Sequence, residues 1–180
     1  KLFKKTKLSP NDLSAIAISE GPGSYTGLRI GVSAAKGICF PLNIPLIALD
    51  TMHILARKIE CSEGYIVSAT DARRDEIYFA IFQSTNCKIP ELKVKTDTMI
   101  LSSDSFSNYY ETSTVNFVGD CNKKIMQYLN HENIFFSDYI LPSANEMGVL
   151  SHSKYVKEQF VDVAEFQPKY LKDFGGKKIN

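Results

Sequence analysis

The stretch GPGSYTGLRIGVSAAKG, residues 21–37, decides the architecture, because it carries the chain from an apolar strand through a glycine-rich elbow into an apolar helix. Just upstream, LSAIAIS at 13–19 holds no charge before Glu20, a pattern that predicts a strand covered on both faces. Gly21, Pro22, Gly23 and Ser24 then break the strand. Glycine admits positive φ or close backbone approach, Pro22 fixes its own φ, and Ser24 or Thr26 can cap the amides of the following helix. Such a helix start favours an anion. The two standard phosphate signatures are nevertheless not met. G-x-x-x-x-G-K-[ST] needs Lys after its second glycine, where Gly27 is followed by Leu28 and Arg29, and the spacing of Gly23 and Gly27 does not fit G-x-G-x-x-G. Gly21, Gly23, Ser24, Thr26 and Gly27 therefore admit two readings, a tight turn with a cap and no ligand, or an anion or nucleotide loop.

Placed on a wheel of about 100° per residue, residues 28–40 put Arg29, Ser33, Lys36 and Phe40 in one narrow sector. Leu28, Ile30, Gly31, Val32, Ala34, Ala35, Gly37, Ile38 and Cys39 cover roughly 220° of arc, about twice the stripe that a helix resting on a single core needs. One side suits a sheet, and the surplus needs another cover. Gly31, Ala34, Ala35 and Gly37 are small enough to admit a second helix at close range; a central helix buried wholly within its own chain is the alternative.

GPGSYTGLRIGVSAAKG, followed by NIPLIALDTMHILA at 43–56 and DARRDEIY at 71–78, resembles the TsaB (YeaZ) family of bacterial tRNA-modification proteins. The resemblance implies a degenerate two-lobed α/β fold of the actin-like, sugar-kinase and Hsp70 ATPase type, with ribonuclease H-like lobes. It implies a non-catalytic subunit that binds the catalytic protein TsaD and, with the ATPase TsaE, supports threonylcarbamoyl transfer to the adenosine beside the anticodon of tRNA. Carried onto this chain, the contact with TsaD falls on the helix after Gly27, at Leu28, Ile30, Gly31, Ala34, Ala35 and Ile38. Self-association into a homodimer is expected when TsaD is absent, with tRNA reached indirectly through the complex. No cofactor is required of this chain alone; whether ATP with magnesium binds is left open, at the level of the assembled complex. A family member's opening strands, with their Asp-containing phosphate loop, are expected to precede Lys1.

The remaining sequence fits that frame. The start, LFKKTKLSPNDL, reads as the end of a helix, a loop at Ser9-Pro10 and a cap at Asn11 or Asp12. Residues 46–49 make a short strand, and Asp50 or Thr51 caps a helix reaching Lys58. Residues 61–64 read as a hinge, giving a first lobe at 1–61, a second at 62–163, and a terminal segment, 164–180, that returns toward the first. In the second lobe, 65–70 and 76–83 form a hairpin whose turn is Asp71-Ala72-Arg73-Arg74-Asp75. In ATPases of this fold the corresponding loop carries glycine around an Asp; here Arg73 and Arg74 stand in that place. Asp71 can orient a water or cation and the two arginines can meet phosphate, although a charged surface turn explains all three as well. Further strands are expected at 91–96, within a polar loop-like stretch, at 115–118 and at 134–136. Helices are expected at 105–110, at 122–129 and after Ser143, whose partner Glu146 completes a capping box.

Composition excludes several classes. Hydrophobic residues make up 44% and charged residues 23%, as in an ordinary globular core, and a net charge of +1 gives no overall drive toward nucleic acid. Lys169, Lys172, Lys177 and Lys178 around Tyr170 and Phe174 read as a solvated end. Cys39, Cys61, Cys87 and Cys121 form no C-x-x-C, which suggests reduced thiols in cytoplasm. His53, His131 and His152 lack metallopeptidase spacing, so no metal site is expected, and no serine or cysteine nucleophile has a legible base. No run reaches the length that crosses a bilayer. A nucleotide-binding enzyme of the sugar-kinase-like class is the alternative to the interaction protein.

Overall fold

The computed structural model describes residues 2–61, 63–84 and 89–172. In chain order the elements are α1 (Leu2–Thr6), a 3-10 turn (Pro10–Asp12), β1 (Ile16–Gly21), α2 (Tyr25–Leu42), β2 (Leu46–Asp50), α3 (Thr51–Ala56), β3 (Tyr65–Asp71), β4 (Glu76–Gln83), β5 (Glu91–Ile100), α4 (Ser107–Tyr110), β6 (Val115–Val118), α5 (Asn122–Ile125), β7 (Ile134–Phe136) and α6 (Ala144–Val156). They build two sheets. β1 and β2 pair in parallel with Ile16 opposite Leu46, and the larger sheet runs β5-β4-β3-β6-β7. In it β3, β4 and β5 form an antiparallel meander, whereas β6 and β7 add in parallel to β3. A helix between parallel strands recurs, α2 between β1 and β2 and α5 between β6 and β7, because parallel strands need a crossover. This is the two-lobed α/β plan expected from the sequence.

Alternation along β3 explains how the larger sheet is covered. Ile66 points with Ala80, Phe82 and Val118 toward Met52, Leu55 and Ala56 of α3. Val67 and Ala69 point the other way, into a core with Ile77, Ile81, Phe106, Tyr110, Phe117 and Ile125. Three edge-to-face or stacked ring pairs, Phe79–Phe106, Phe106–Phe117 and Phe117–Phe136, fix that second core. α3 is short, yet nearly all of it is buried, because its opposite side serves the smaller sheet: Ile54 packs with Ile47, Leu49 and Leu150. The joint between the lobes is therefore this shared helix as much as the 61–64 connection.

Residues after β7 turn back to the smaller sheet earlier than residue 164. Leu150 and Met147 of α6 lie on Ile47 and Leu49, Lys154 Nζ donates to the Ala48 carbonyl at 2.7 Å, and Val161 bridges Leu46. Val163 and Phe166 complete a third cluster with Ala35, Cys39 and Leu46. β2, flanked in this way, is buried from Leu46 to Leu49, whereas β1 is only half-buried along most of its length, short of the two-sided cover its sequence predicts.

Several boundaries differ from the sequence reading, each for a local reason. β5 holds the strand expected at 91–96 and runs four residues further, to Ile100, into the stretch read as a polar loop, because β4 pairs with it along that length and Lys93 and Lys95 suit an exposed edge. The 122–129 helix is a single α-helical turn before 3-10-type turns. At the start the N-cap is Ser9 rather than Asn11 or Asp12, and Asp12 at N3 takes the capping-box part, accepting from the Ser9 amide at 2.7 Å and its hydroxyl at 2.9 Å. Ser143 stands at the N-cap of α6, but its hydroxyl donates to the Glu146 carboxylate and caps no amide, so the expected capping box is not formed. At the end of β6, Gly119 has φ 134°, and a Cβ there would lie 1.8 Å from the Ala69 carbonyl oxygen; only glycine fits. Cys39 and Cys121 are buried thiols and Cys61 a half-buried one; burial, with Asp120 beside it, pushes Cys121 up to about 12. Cys87, Phe174, Lys177 and Lys178 lie outside the described residues.

Candidate functional site

α2 begins where the sequence places its cap. The Ser24 hydroxyl accepts from the Gly27 amide at 3.3 Å, and the helix runs three residues earlier and two later than predicted, closing at Asn43 in the left-handed conformation. Val32, Ala35 and Cys39, at spacings of three and four, form its buried stripe. Ala35 thus belongs to the chain's own core rather than to an outward face. Gly31 also turns inward: a Cβ on it would meet Ile18 Cδ1 of β1 at 3.2 Å, so its small size lets the helix approach its own sheet. Leu28 is half-buried and packs back over Gly21 and Gly23.

The other side of α2 is bare. Ile30 is 66% exposed and Ile38 36%, and Ala34, Gly37 and Pro41 are exposed between and beyond them. Positions 30, 34, 37, 38 and 41 fall on one face of the helix and carry no charge. Phe40, at 76% exposure, extends this apolar surface from the sector that the wheel had assigned to polar residues. Among the described residues nothing covers this face. Of the six predicted interface residues, then, Ile30, Ala34 and Ile38 point outward, Leu28 and Gly31 are partly committed to the elbow and β1, and Ala35 is buried.

A cleft of about 1110 Å³ lies between the lobes, and it gathers much of the predicted anion loop. Gly23, Ser24 and Thr26 of the elbow line it from the first lobe, and Asp71, Arg73 and Arg74 from the β3–β4 turn, with Tyr25, Tyr78, Asp120, Tyr170 and Lys172 around them. Gly21 and Gly27 are not in its wall. Gly21 (φ 111°) lies instead under the Lys169 carbonyl, whose oxygen would stand 2.8 Å from an added Cβ.

The turn is held by its own neighbours. Asp71 accepts from the Arg73 amide at 3.2 Å and pairs with Lys124, while Lys124 also donates to the Arg74 carbonyl at 2.6 Å. These contacts hold Arg73 and Arg74 at φ 71° and 52°, left-handed values that a side chain seldom adopts. Asp120 Oδ1 accepts from the Asp71 amide at 2.9 Å, so Gly119-Asp120 ends β6 and braces β3 at once. The Asp71 carboxylate is thus committed within the protein, whereas the Arg73 and Arg74 side chains are exposed. Among the described residues no three His, Cys, Asp or Glu side chains stand close enough together to hold a metal ion.

Sequence reasoning missed how the C-terminal segment shapes this site. The Tyr170 ring lies 5.0 Å from Tyr25, Arg29 sits 4.4 Å from the Tyr25 ring, and Arg29 Nε donates to the Tyr170 hydroxyl at 3.3 Å. Behind the elbow, Asp50 caps α3 through the Met52 amide at 2.8 Å, accepts from Thr96 at 2.7 Å and faces Lys169 at 3.6 Å. Burial, and then repulsion from Asp50, hold the Glu20 carboxyl above its ordinary range. These groups are far apart in sequence, and only AEFQPKYLK at 164–172 hinted at the return.

A family model described as "TsaD: tRNA N6-adenosine threonylcarbamoyltransferase" matches residues 1–178. The protein of Bacillus subtilis described as "tRNA threonylcarbamoyladenosine biosynthesis protein TsaB" is 35% identical over 99 residues, which make up 55% of this chain and 43% of that one. The Haemophilus influenzae protein of the same description is 26% identical over 187 residues, 96% of this chain and 75% of its own length. Among solved structures, "YeaZ from Pseudomonas aeruginosa" superposes with a TM-score of 0.81 at 22% identity, covering 94% of this chain and 79% of that one, which shows the shared fold. No helix among the described residues is long and apolar enough to cross a membrane.

Proposed function

The chain belongs to the TsaD family, described as tRNA N6-adenosine threonylcarbamoyltransferase, among its TsaB (YeaZ) members, and from that premise we propose that it acts in tRNA threonylcarbamoyladenosine biosynthesis as a docking subunit for TsaD. The observation that carries this reading is the uncovered apolar face of α2, with Ile30, Ala34, Gly37, Ile38 and Phe40 exposed on a helix whose opposite side already fills the core. Such a face is unfavourable in water and suits a second helix, because Ala34 and Gly37 permit close approach. In this proposal TsaD supplies that helix, TsaE and tRNA join through the complex, and the chain pairs with its own copy through the same face when TsaD is absent. The setting is the cytoplasm.

A second reading keeps a nucleotide in the cleft. It rests on the elbow residues Gly23, Ser24 and Thr26 and the Asp71–Arg74 turn lining one cavity. Against this chain doing so alone, the Asp71 carboxylate is already held by Lys124, and the Tyr25–Tyr170 pair stands in the cleft wall. We place ATP and magnesium at the level of the assembled complex.

Reconstitution tests both. Purified TsaD and TsaE, the nucleotide-activated donor and unmodified tRNA should yield threonylcarbamoyladenosine when this chain is present and almost none when it is omitted. Equal yields with and without it would end the docking-subunit proposal. Calorimetry with ATP and magnesium on the chain alone should show no heat at millimolar nucleotide, and the same titration of the complex should show binding.

A further inference from the structure

Residues 164–172 cross from one lobe to the other, and their two ends are held very differently. On the side of the smaller sheet the grip is distributed. Lys36 Nζ donates to the Ala164 carbonyl at 2.7 Å, Phe166 packs on the Ala35, Cys39 and Leu46 cluster, and the Lys169 amide donates to the Glu20 carbonyl at 2.7 Å. The Lys169 ammonium faces Asp50, and Tyr170 lies against Tyr25 and Arg29. On the side of the larger sheet the side-chain contacts of the described residues converge on Lys172. Lys172, only 11% exposed, pairs with the Glu76 carboxylate, donates to the Ala72 carbonyl at 3.1 Å and lies 5.8 Å from the centre of the Tyr78 ring.

We propose that residues 164–172 form a clasp, anchored on the smaller sheet and latched to the β3–β4 turn by Lys172, and that release of this latch widens the cleft between the lobes. The position of the segment supports the assignment, since Tyr170 and Lys172 are both part of the cleft wall. Its energetics support it as well. The anchor spreads over apolar packing, backbone hydrogen bonds and the Lys169–Asp50 pair, so no single contact decides it, whereas the latch centres on the Lys172–Glu76 ion pair and can be released at that one side chain. Burial, and then Arg74 and Arg73, work against the charge on Lys172, while Asp71 favours it. A phosphate-bearing ligand that neutralised those arginines would strengthen the latch, and a carboxylate competing for Lys172 would release it. This inference does not depend on the docking role of α2.

Amide hydrogen exchange read by mass spectrometry tests it on the whole chain, comparing wild type with Lys172→Ala at low and high salt. The turn is the reporter, because its Ala72 amide donates to Glu76 and its Glu76 amide donates to Arg73. In Lys172→Ala, exchange in residues 71–76 should rise about fivefold, the scale of one lost ion pair, while β1 and the first turn of α2 keep their protection. Wild type should approach the same rate as salt is raised, and the variant should show no further response. Unchanged exchange in the turn would overturn the clasp. So would a rise spread evenly over both sheets, which would make Lys172 a contributor to global stability only.

Discussion

Truncating Ile30 to alanine measures the α2 face without disturbing the fold. Ile30 is 66% exposed, so its side chain contributes little to the chain's own core and two-thirds of it remains for a partner to cover. The substitution removes three carbons, each contributing about 0.8 kcal/mol when fully buried, so an interface closing over this helix should lose about 1.6 kcal/mol, or ~15-fold in Kd for TsaD. Ala34→Glu, one turn along the same face, should weaken binding by about a hundredfold or more, because it would bury an unpaired carboxylate between two packed helices. Titration calorimetry against TsaD from the same organism gives both constants, and thermal unfolding of each variant should match wild type. If both variants fold and bind TsaD within twofold of wild type, the docking face is not on α2.

Two further substitutions test the fold beneath the site. Gly119→Ala should destabilise by about 3 kcal/mol or more, since the new Cβ would lie 1.8 Å from the Ala69 carbonyl at a φ of 134°; Gly37→Ala, with nothing within 4 Å, should raise the thermal midpoint through helix propensity. Urea midpoints of the two variants check this, and a stable Gly119→Ala would mean that β6 does not end as described. His53, on the shared helix α3 with its ring 4.9 Å from Phe82, has its pKa lowered, chiefly by burial, from its ordinary 6.5. The unfolded chain therefore binds more protons at this residue, so its contribution to stability is full above pH 6.5 and is lost as pH falls through the folded value. Wild type should lose more stability between pH 7.5 and pH 5 than His53→Leu, and equal losses would refute the assignment.

The sequence legibly carried the elements that local chemistry specifies. Gly21 to Ser24 end a strand, Ser24 and Asp50 can each cap a helix, and β-branched residues on either side of Asp71-Ala72-Arg73-Arg74-Asp75 make a hairpin; all these stand in the structure. The end of the edge strand β5 was harder to read: 91–96 carries a strand pattern, but 97–100 looks like a loop until the neighbouring strand supplies the hydrogen bonds. The excess of apolar residues on α2 was countable in advance as well. Its direction was not: a wheel fixes the angles between side chains but not which arc faces the sheet, so Ala35 and Gly31 turned inward while Phe40 turned out.

By itself, then, the order of residues determined the alternation of strand and helix, the elbow and its cap, and a helix with more apolar surface than one core can cover, because each depends on neighbours a few positions away. Tertiary structure alone decided the rest. Only folding sets α3 between the two sheets and brings Lys172 to Glu76 across 96 residues, and only folding selects the face of α2 left in water, because these outcomes depend on contacts between segments that no local pattern encodes.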